Sequence, residues 1–276
     1  MKKYILVLSI AVAIAGCKSE TKAPEQPAPT TPTAAEEFVP TIDYTVVNAL
    51  PHDTNSFTEG LFFNNGQLYE STGSPDDMPD LKSLFGPVDA KTGRIQKKIE
   101  LDKTTYFGEG TIILNNKLYQ LTYKNQICFL YDAKTYKPLG QFRFTNEEGW
   151  GLTTDGKNII MSDGTENLSI LDPNTFNVVK KLNVTNGGYP ENNLNELEYI
   201  KGFIYANVWM KNYIVKIDPA TGKVVGLLDL AQLKSKANDA YKNAEVTNGI
   251  AYDAATDKIY VTGKLWPNLY EISFPH

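Results

Sequence analysis

Five passages of this chain repeat one pattern, and that repeat constrains the fold more than any other feature. Aligned, they read FTEGLFFNNGQLYESTG, FGEGTIILNNKLYQLTYK, GWGLTTDGKNIIMSDGT, LNELEYIKGFIYANVWMK and TNGIAYDAATDKIYVTGK. Each opens on a polar or aromatic residue, runs through small and apolar positions to a turn, and continues into a strand near Tyr69, Tyr119, Ile160, Tyr205 or Tyr260. Four are followed by a strand closing on aspartate, in GPVDAKTG, FLYDAKTY, SILDPNTF and IVKIDPATG; the fifth ends in LYEISFPH. Repeats of about 40–50 residues, each holding several short strands, mark a propeller. The expected fold is therefore all-β, a five-bladed β-propeller of four-stranded blades spanning 41–276. IDYTVVNAL, from Ile42 to Leu50, is expected to supply the outer strand of the fifth blade and lock the ring. LAQLKSKANDAYKNAE (Leu230 to Glu245) reads as a helical insertion between strands.

In a propeller the first strand of each blade lines the central channel. The alignment then brings Glu59, Glu109, Trp150, Asn195 and Asn248 to one level around the axis. A fold built for stability alone would place packing residues there, because unpaired buried polar groups are costly. Two readings stay open at this point: a hydrogen-bonded polar plug holding water, or a binding pocket. In the second, the glycines of FGEG (Phe107 to Gly110) clear room for substrate beside Glu109.

Little conventional catalytic equipment accompanies the ring. The two histidines, His52 and His276, have no partner at metal-ligand spacing, so no metal or other cofactor is expected, and His52 reads as a loop cap. No G-x-S-x-G supports a serine nucleophile. What remains is carboxylate chemistry with aromatic walls and amide donors, which suits a small neutral substrate carrying amide and amine groups. The formal net charge of −5, without a basic cluster, argues against nucleic acid as a partner.

The first residues, MKKYILVLSIAVAIAGC, carry two lysines, an apolar stretch and small residues before Cys17, as a secretory signal does. Ile14 to Cys17 resembles the bacterial lipobox. Residues 1–16 are thus expected to be a lipoprotein signal peptide, with Cys17 lipidated. Lys18 in place of aspartate directs the chain to the outer membrane by the sorting pattern. Residues 17–40 are rich in Pro, Ala, Thr and Glu, and read as a disordered linker. The expected location is exported and lipid-anchored, at the periplasmic face of the outer membrane or the cell surface. With Cys17 acylated, Cys128 has no partner, so stability must come from packing.

The phrases PHDTNSFTEGLFF, FGEGTIILNNKLYQLTYK, EGWGL, LNELEY, ANVW and TNGIAYD with IYVTGKLWPNLYEI resemble the plant and bacterial glutaminyl cyclases (glutaminyl-peptide cyclotransferases) over residues 45 to 274. The resemblance implies a five-bladed propeller that converts the N-terminal glutamine of peptides or proteins to pyroglutamate and releases ammonia, without a catalytic metal. It implies that Glu109 is the catalytic carboxylate, that Asn195 holds the reacting amide, and that Lys264 orients the carboxylate. It further implies that Phe57, Glu59, Phe107, Tyr123, Trp150 and Trp209 bind substrate. Two departures stand out: Glu59 where relatives often carry Gln, leaving an acceptor for the substrate ammonium, and Tyr123 where they often carry Trp. Trp266 is expected to pack rather than touch substrate, and the closed propeller is expected to be monomeric. The rival readings are a non-catalytic binding propeller and a calcium-dependent lactonase-type hydrolase, in which Glu59, Glu109, Asn195 and Asn248 would supply oxygen ligands.

Overall fold

The computed structural model describes residues 38–276; the expected signal peptide, Cys17 and the linker up to residue 37 lie outside the described residues. The chain first forms β1 (Thr45–Pro51). Blade one follows as β2 (Thr58–Asn64), β3 (Gln67–Thr72), β4 (Leu84–Pro87) and β5 (Ile99–Glu100). Blade two is β6 (Gly108–Leu114), β7 (Lys117–Thr122), β8 (Ile127–Asp132) and β9 (Pro138–Arg143). Blade three is β10 (Leu152–Thr154), β11 (Ile159–Met161), β12 (Asn167–Leu171) and β13 (Val178–Asn183). A short hairpin, β14 (Thr185–Asn186) and β15 (Tyr189–Pro190), leads to blade four: β16 (Leu194–Ile200), β17 (Phe203–Val208), β18 (Tyr213–Ile217) and β19 (Val224–Asp229). The helix α1 (Ala231–Ala240) then precedes β20 (Thr247–Asp253), β21 (Lys258–Gly263) and β22 (Asn268–Ser273).

Each blade is an antiparallel four-stranded sheet, and the fifth has the order β1-β22-β21-β20. The start of the described chain thus forms the rim strand of the last blade, with Leu50 opposite Leu269 and Val46 opposite Ile272. The inner strands β2, β6, β10, β16 and β20 lie side by side, and β20 returns to β2. Five blades and the clasp stand as the repeat predicted.

The turns explain why each repeat is punctuated as it is. Asn65 and Gly66, Asn115 and Asn116, and Lys201 and Gly202 all take positive φ at the tips of inner hairpins, the conformation that a tight two-residue connection demands. Asp89, Asp132, Asp172 and Asp218 each accept backbone N–H bonds from residues two or three further on, so the closing aspartates are turn-makers. The core lies between blades. One buried cluster joins Phe62 and Phe85 of blade one to Ile112 and Tyr119 of blade two and Leu152 of blade three. Burial at about 25 cal/mol per Å² over such faces is what holds neighbouring blades together.

Candidate active site

Four of the inner hairpins lose register at the same height: between Thr58 and Gly60, Gly108 and Thr111, Leu194 and Leu197, and Thr247 and Ile250. Glu59, Glu109, Asn195 and Asn248 sit in these irregularities, and Trp150 stands just before β10. A bulge re-aims a side chain that a regular ladder would point elsewhere. The displaced peptide groups are still satisfied: Ser71 Oγ donates to Glu109 O at 2.7 Å, Ser162 Oγ to Asn195 O at 2.7 Å, and Gly249 N to Asn207 Oδ1 at 2.9 Å.

The glycines beside Glu109 have a different purpose from the one expected of them. A Cβ on Gly110 would lie 2.5 Å from Trp150 O and 2.5 Å from Leu152 N, and one on Gly108 would lie 2.9 Å from Thr72 O. A Cβ on Gly151 would lie 2.2 Å from Asn195 O. Neighbouring inner strands meet backbone to backbone here, so these glycines permit strand contact rather than clearing room for substrate.

Above this floor opens a cavity of about 540 Å³. It is lined by all nine residues expected around the substrate: Glu109, Asn195, Lys264, Phe57, Glu59, Phe107, Tyr123, Trp150 and Trp209. Phe57 meets Phe107 edge-on at 6.2 Å, and Phe107 leans on Tyr123 at 5.8 Å. Trp150 and Trp209 cross at 5.8 Å and 82°. The Trp150 indole is fixed from two sides. Its Nε1 donates to Glu148 Oε2 at 2.9 Å, and its ring lies on Gly164, where a Cβ would come within 2.6 Å of Cζ2. Trp209 is 41% exposed and presents apolar surface at the cavity wall.

The charges on the floor are arranged otherwise than the resemblance implied. Lys264 Nζ reaches Glu59 Oε1 at 2.6 Å, so the lysine pairs with Glu59 and not with Glu109. Asn248 Nδ2 donates to Glu59 Oε2 at 3.2 Å and to Thr58 O at 2.8 Å. Both Glu59 oxygens are therefore engaged within the protein, one by Lys264 and one by Asn248. Glu59 and Glu109 lie close enough to perturb each other, and neighbouring buried carboxyls disfavour ionisation of both. Burial, then the neighbouring Glu59 charge, pushes Glu109 well above the ordinary carboxylate range, with Lys264 opposing. Burial raises Glu59 as well, against the direct pull of Lys264. Because the ammonium bonds Glu59 directly, the negative charge rests there and the proton on Glu109.

The remaining polar groups define what the cavity can accept. Asn195 Oδ1 is buried with no hydrogen-bond partner among the described residues, which is a standing invitation to an N–H donor. The reading of the repeats did not anticipate Glu147, Glu148, Asp163, Thr165 and Asn193 at the cavity wall; Glu147, Glu148 and Asn193 precede inner strands, and Asp163 and Thr165 follow β11 at the end of the third repeat. It also passed over Glu196, whose signal was visible: it occupies the column that holds Gly60, Gly110, Gly151 and Gly249 in the other blades. Trp266 is fully buried and donates from Nε1 to Glu245 O at 2.9 Å, as a packing residue does. His52 is more than a loop cap. It is buried, with Nδ1 at 2.7 Å from Trp266 O and Nε2 at 3.1 Å from Glu70 Oε1.

The family profile described as glutamine cyclotransferase matches residues 9–274. The chain belongs to the glutamine cyclotransferase family. It is 39% identical over 229 residues to the glutaminyl-peptide cyclotransferase of Arabidopsis thaliana, an alignment covering 82% of this chain and 70% of that protein. Its fold superposes on the crystal structure of Myxococcus xanthus glutaminyl cyclase with a TM-score of 0.78 and 32% identity, over 86% of this chain and 98% of that one. The five-bladed propeller read from the repeats is thus also the architecture of a solved family member.

Proposed function

We propose that this cyclotransferase closes N-terminal glutamine of peptides or proteins to pyroglutamate, with Glu109 as the group that moves the proton. The observation that carries the reading is the buried Glu109, paired with an already engaged Glu59, on the floor of an aromatic-walled cavity beside an unpartnered amide oxygen. The substrate's α-nitrogen attacks its own side-chain amide carbon. The new N–C bond forms, the old C–N bond breaks, and the net proton passes from the α-nitrogen to the departing nitrogen, which leaves as ammonia.

A peptide α-amine titrates near about 7.7–8.0, so a useful fraction is already nucleophilic at neutral pH. The demanding step is departure of an amide nitrogen, which must first be protonated. Burial and the Glu59 charge raise Glu109 well above the ordinary carboxylate range and so favour its protonated form; it gives that proton to the leaving nitrogen and recovers one from the attacking nitrogen. Asn195 accepts an N–H of the substrate at Oδ1, and its Nδ2 donates to the substrate amide oxygen as charge builds there. Trp150, Trp209, Phe107 and Phe57 hold the folded side chain in the ring-closing conformer, making the attack intramolecular and pre-oriented. The calcium-dependent alternative is disfavoured by Lys264, whose ammonium occupies the neighbourhood of Glu59 that an ion would need.

We also propose export and anchoring through Cys17, at the periplasmic face of the outer membrane or the cell surface, supported by the lipobox-like Ile14 to Cys17 and the Pro-rich stretch behind it. The decisive experiment is incubation of the domain with a peptide bearing N-terminal glutamine while ammonia is followed. Turnover without added metal is expected, reduced at least about a hundredfold by Glu109→Gln. Undiminished turnover in that variant would remove Glu109 from its role.

A further inference from the structure

The LNELEY motif contributes Asn195 to the cavity but also carries a second buried acid that the chemistry above does not use. Glu196 is 1% exposed, and its two oxygens bond two different blades. Oε1 accepts from Leu61 N of blade one at 3.1 Å, and Oε2 accepts from Ile250 N of blade five at 2.8 Å. Leu61 lies two residues after Glu59, and Ile250 lies two residues after Asn248. Each is separated from its ring residue by the hub glycine, Gly60 or Gly249. Meanwhile the residue immediately before Glu196, Asn195, is tied through its carbonyl to Ser162 of blade three.

We infer that Glu196 is a positioning residue for the cyclisation, a strut across the hub that sets the distance between Asn195 on one wall and the Glu59–Asn248 pair on the other. This rests on the proposed function of the cavity and adds to it a residue outside the cavity lining. The geometry gives it little latitude. A single side chain, held at the bulge of β16, fixes the inner strands of blades one and five at the second peptide after each site residue. Four of the five blades fill the equivalent column with glycine; at Gly60, Gly110 and Gly151 strand backbones simply touch, and Gly249 faces the side chains of Thr262 and Thr58. Only blade four places a carboxylate there, and it is the one whose inner strand also lies against β2 across the axis. Glu196 touches no substrate; it acts through Glu59, Asn248 and, by way of Glu59, Glu109. A displacement of about 1 Å in such a constellation can cost on the order of a hundredfold in rate.

Glu198 supplies the comparison. It is a buried acid on the same strand, accepting from Tyr252 N at 2.8 Å and Thr153 Oγ1 at 3.3 Å, but its contacts lie two residues further from the ring. Glu196→Gln and Glu198→Gln should both lower the melting temperature, since each puts an NH2 where one of the two accepting oxygens stood. Assayed with a glutaminyl peptide at a temperature where both are fully folded, Glu196→Gln is expected to lose tenfold or more in kcat with KM changed less than threefold, while Glu198→Gln keeps kcat within threefold of wild type. Should Glu196→Gln fail to fold, Glu196→Asp, which retains the carboxyl group but reaches only one of the two strands, is expected to lose at least threefold in kcat. Wild-type kcat in a folded Glu196 variant, or equal kcat losses in the Glu196 and Glu198 variants, would overturn the inference. Absence of turnover in the wild-type protein would instead refute the proposed function itself.

Discussion

Gly73→Ala tests whether the Phe107 wall is as closely fitted as it looks. Gly73 follows β3 and its N–H is bonded to Phe57 O at 2.8 Å. A Cβ there would lie 2.2 Å from Phe107 Cζ, 2.3 Å from Cε1 and 3.1 Å from Glu59 Oε1. Carbon atoms in contact sit about 3.5–4.0 Å apart, so the ring must retreat by more than about 1 Å. Gly73 is not among the positive-φ residues, so alanine brings no backbone strain and the clash acts alone. Overpacking of this kind costs about 1–3 kcal/mol, or roughly 2–12 °C in Tm for a domain of this size. Phe107 stands two residues before Glu109 and edge-on to Phe57, so kcat/KM should fall by about 10–100-fold as the wall shifts. Calorimetry and ammonia release measure the two effects. In a Phe107→Ala background the obstacle is gone, and the Tm cost of Gly73→Ala should shrink toward zero. A Gly73→Ala protein as stable and as active as wild type, or equally destabilised with and without the Phe107 ring, would refute the reasoning.

Two further predictions concern buried charge. Lys264→Met strands Glu59 beside Glu109; breaking a buried pair in this way costs about 3–5 kcal/mol, and the double variant with Glu59→Gln should recover most of it in denaturant unfolding, whereas equal stability of single and double variants would mean that the ion pair is not what the lysine contributes. Glu198 is pushed up to about 8 by burial, from an ordinary 4.5, so the native state holds a proton that the unfolded chain has already lost. Stability must therefore fall as pH rises from about 4.5 through 8, by at most about 1.4 kcal/mol per pH unit from this group. Glu198→Gln should decline less over the same window, and parallel slopes for the two proteins would contradict the assignment.

The architecture was legible because a propeller writes its structure once per blade. Turn signals such as NNGQ and the closing aspartates are local chemistry, satisfied within a few residues, and so survive in the sequence as a pattern. The alignment also brought Glu59, Glu109, Trp150, Asn195 and Asn248 to one height. The pairing within that ring was not legible. That Lys264 bonds Glu59 in preference to Glu109 depends on a 2.6 Å contact between residues 205 positions apart, and no spacing rule encodes it. The glycines of FGEG were misread for a related reason. A glycine signals close approach, but only the neighbouring strand tells what approaches, and here it is the backbone of Trp150 and Leu152. Glu148 lies before the third repeat, and Asp163, although inside it, stands in a column otherwise held by Thr72, Thr122, Val208 and Gly263, so neither advertised the cavity it helps to wall.

The clasp between β1 and β22 has a temporal meaning. Glu59 and its two partners, Asn248 and Lys264, belong to opposite ends of the folded domain, and the rim strand that holds blade five complete is made first while its neighbour is made last. Until the fifth blade has closed on the first, the acid pair near the start of the domain has neither its ammonium nor its carboxamide. The floor of the chamber is thus completed by the same step that closes the ring.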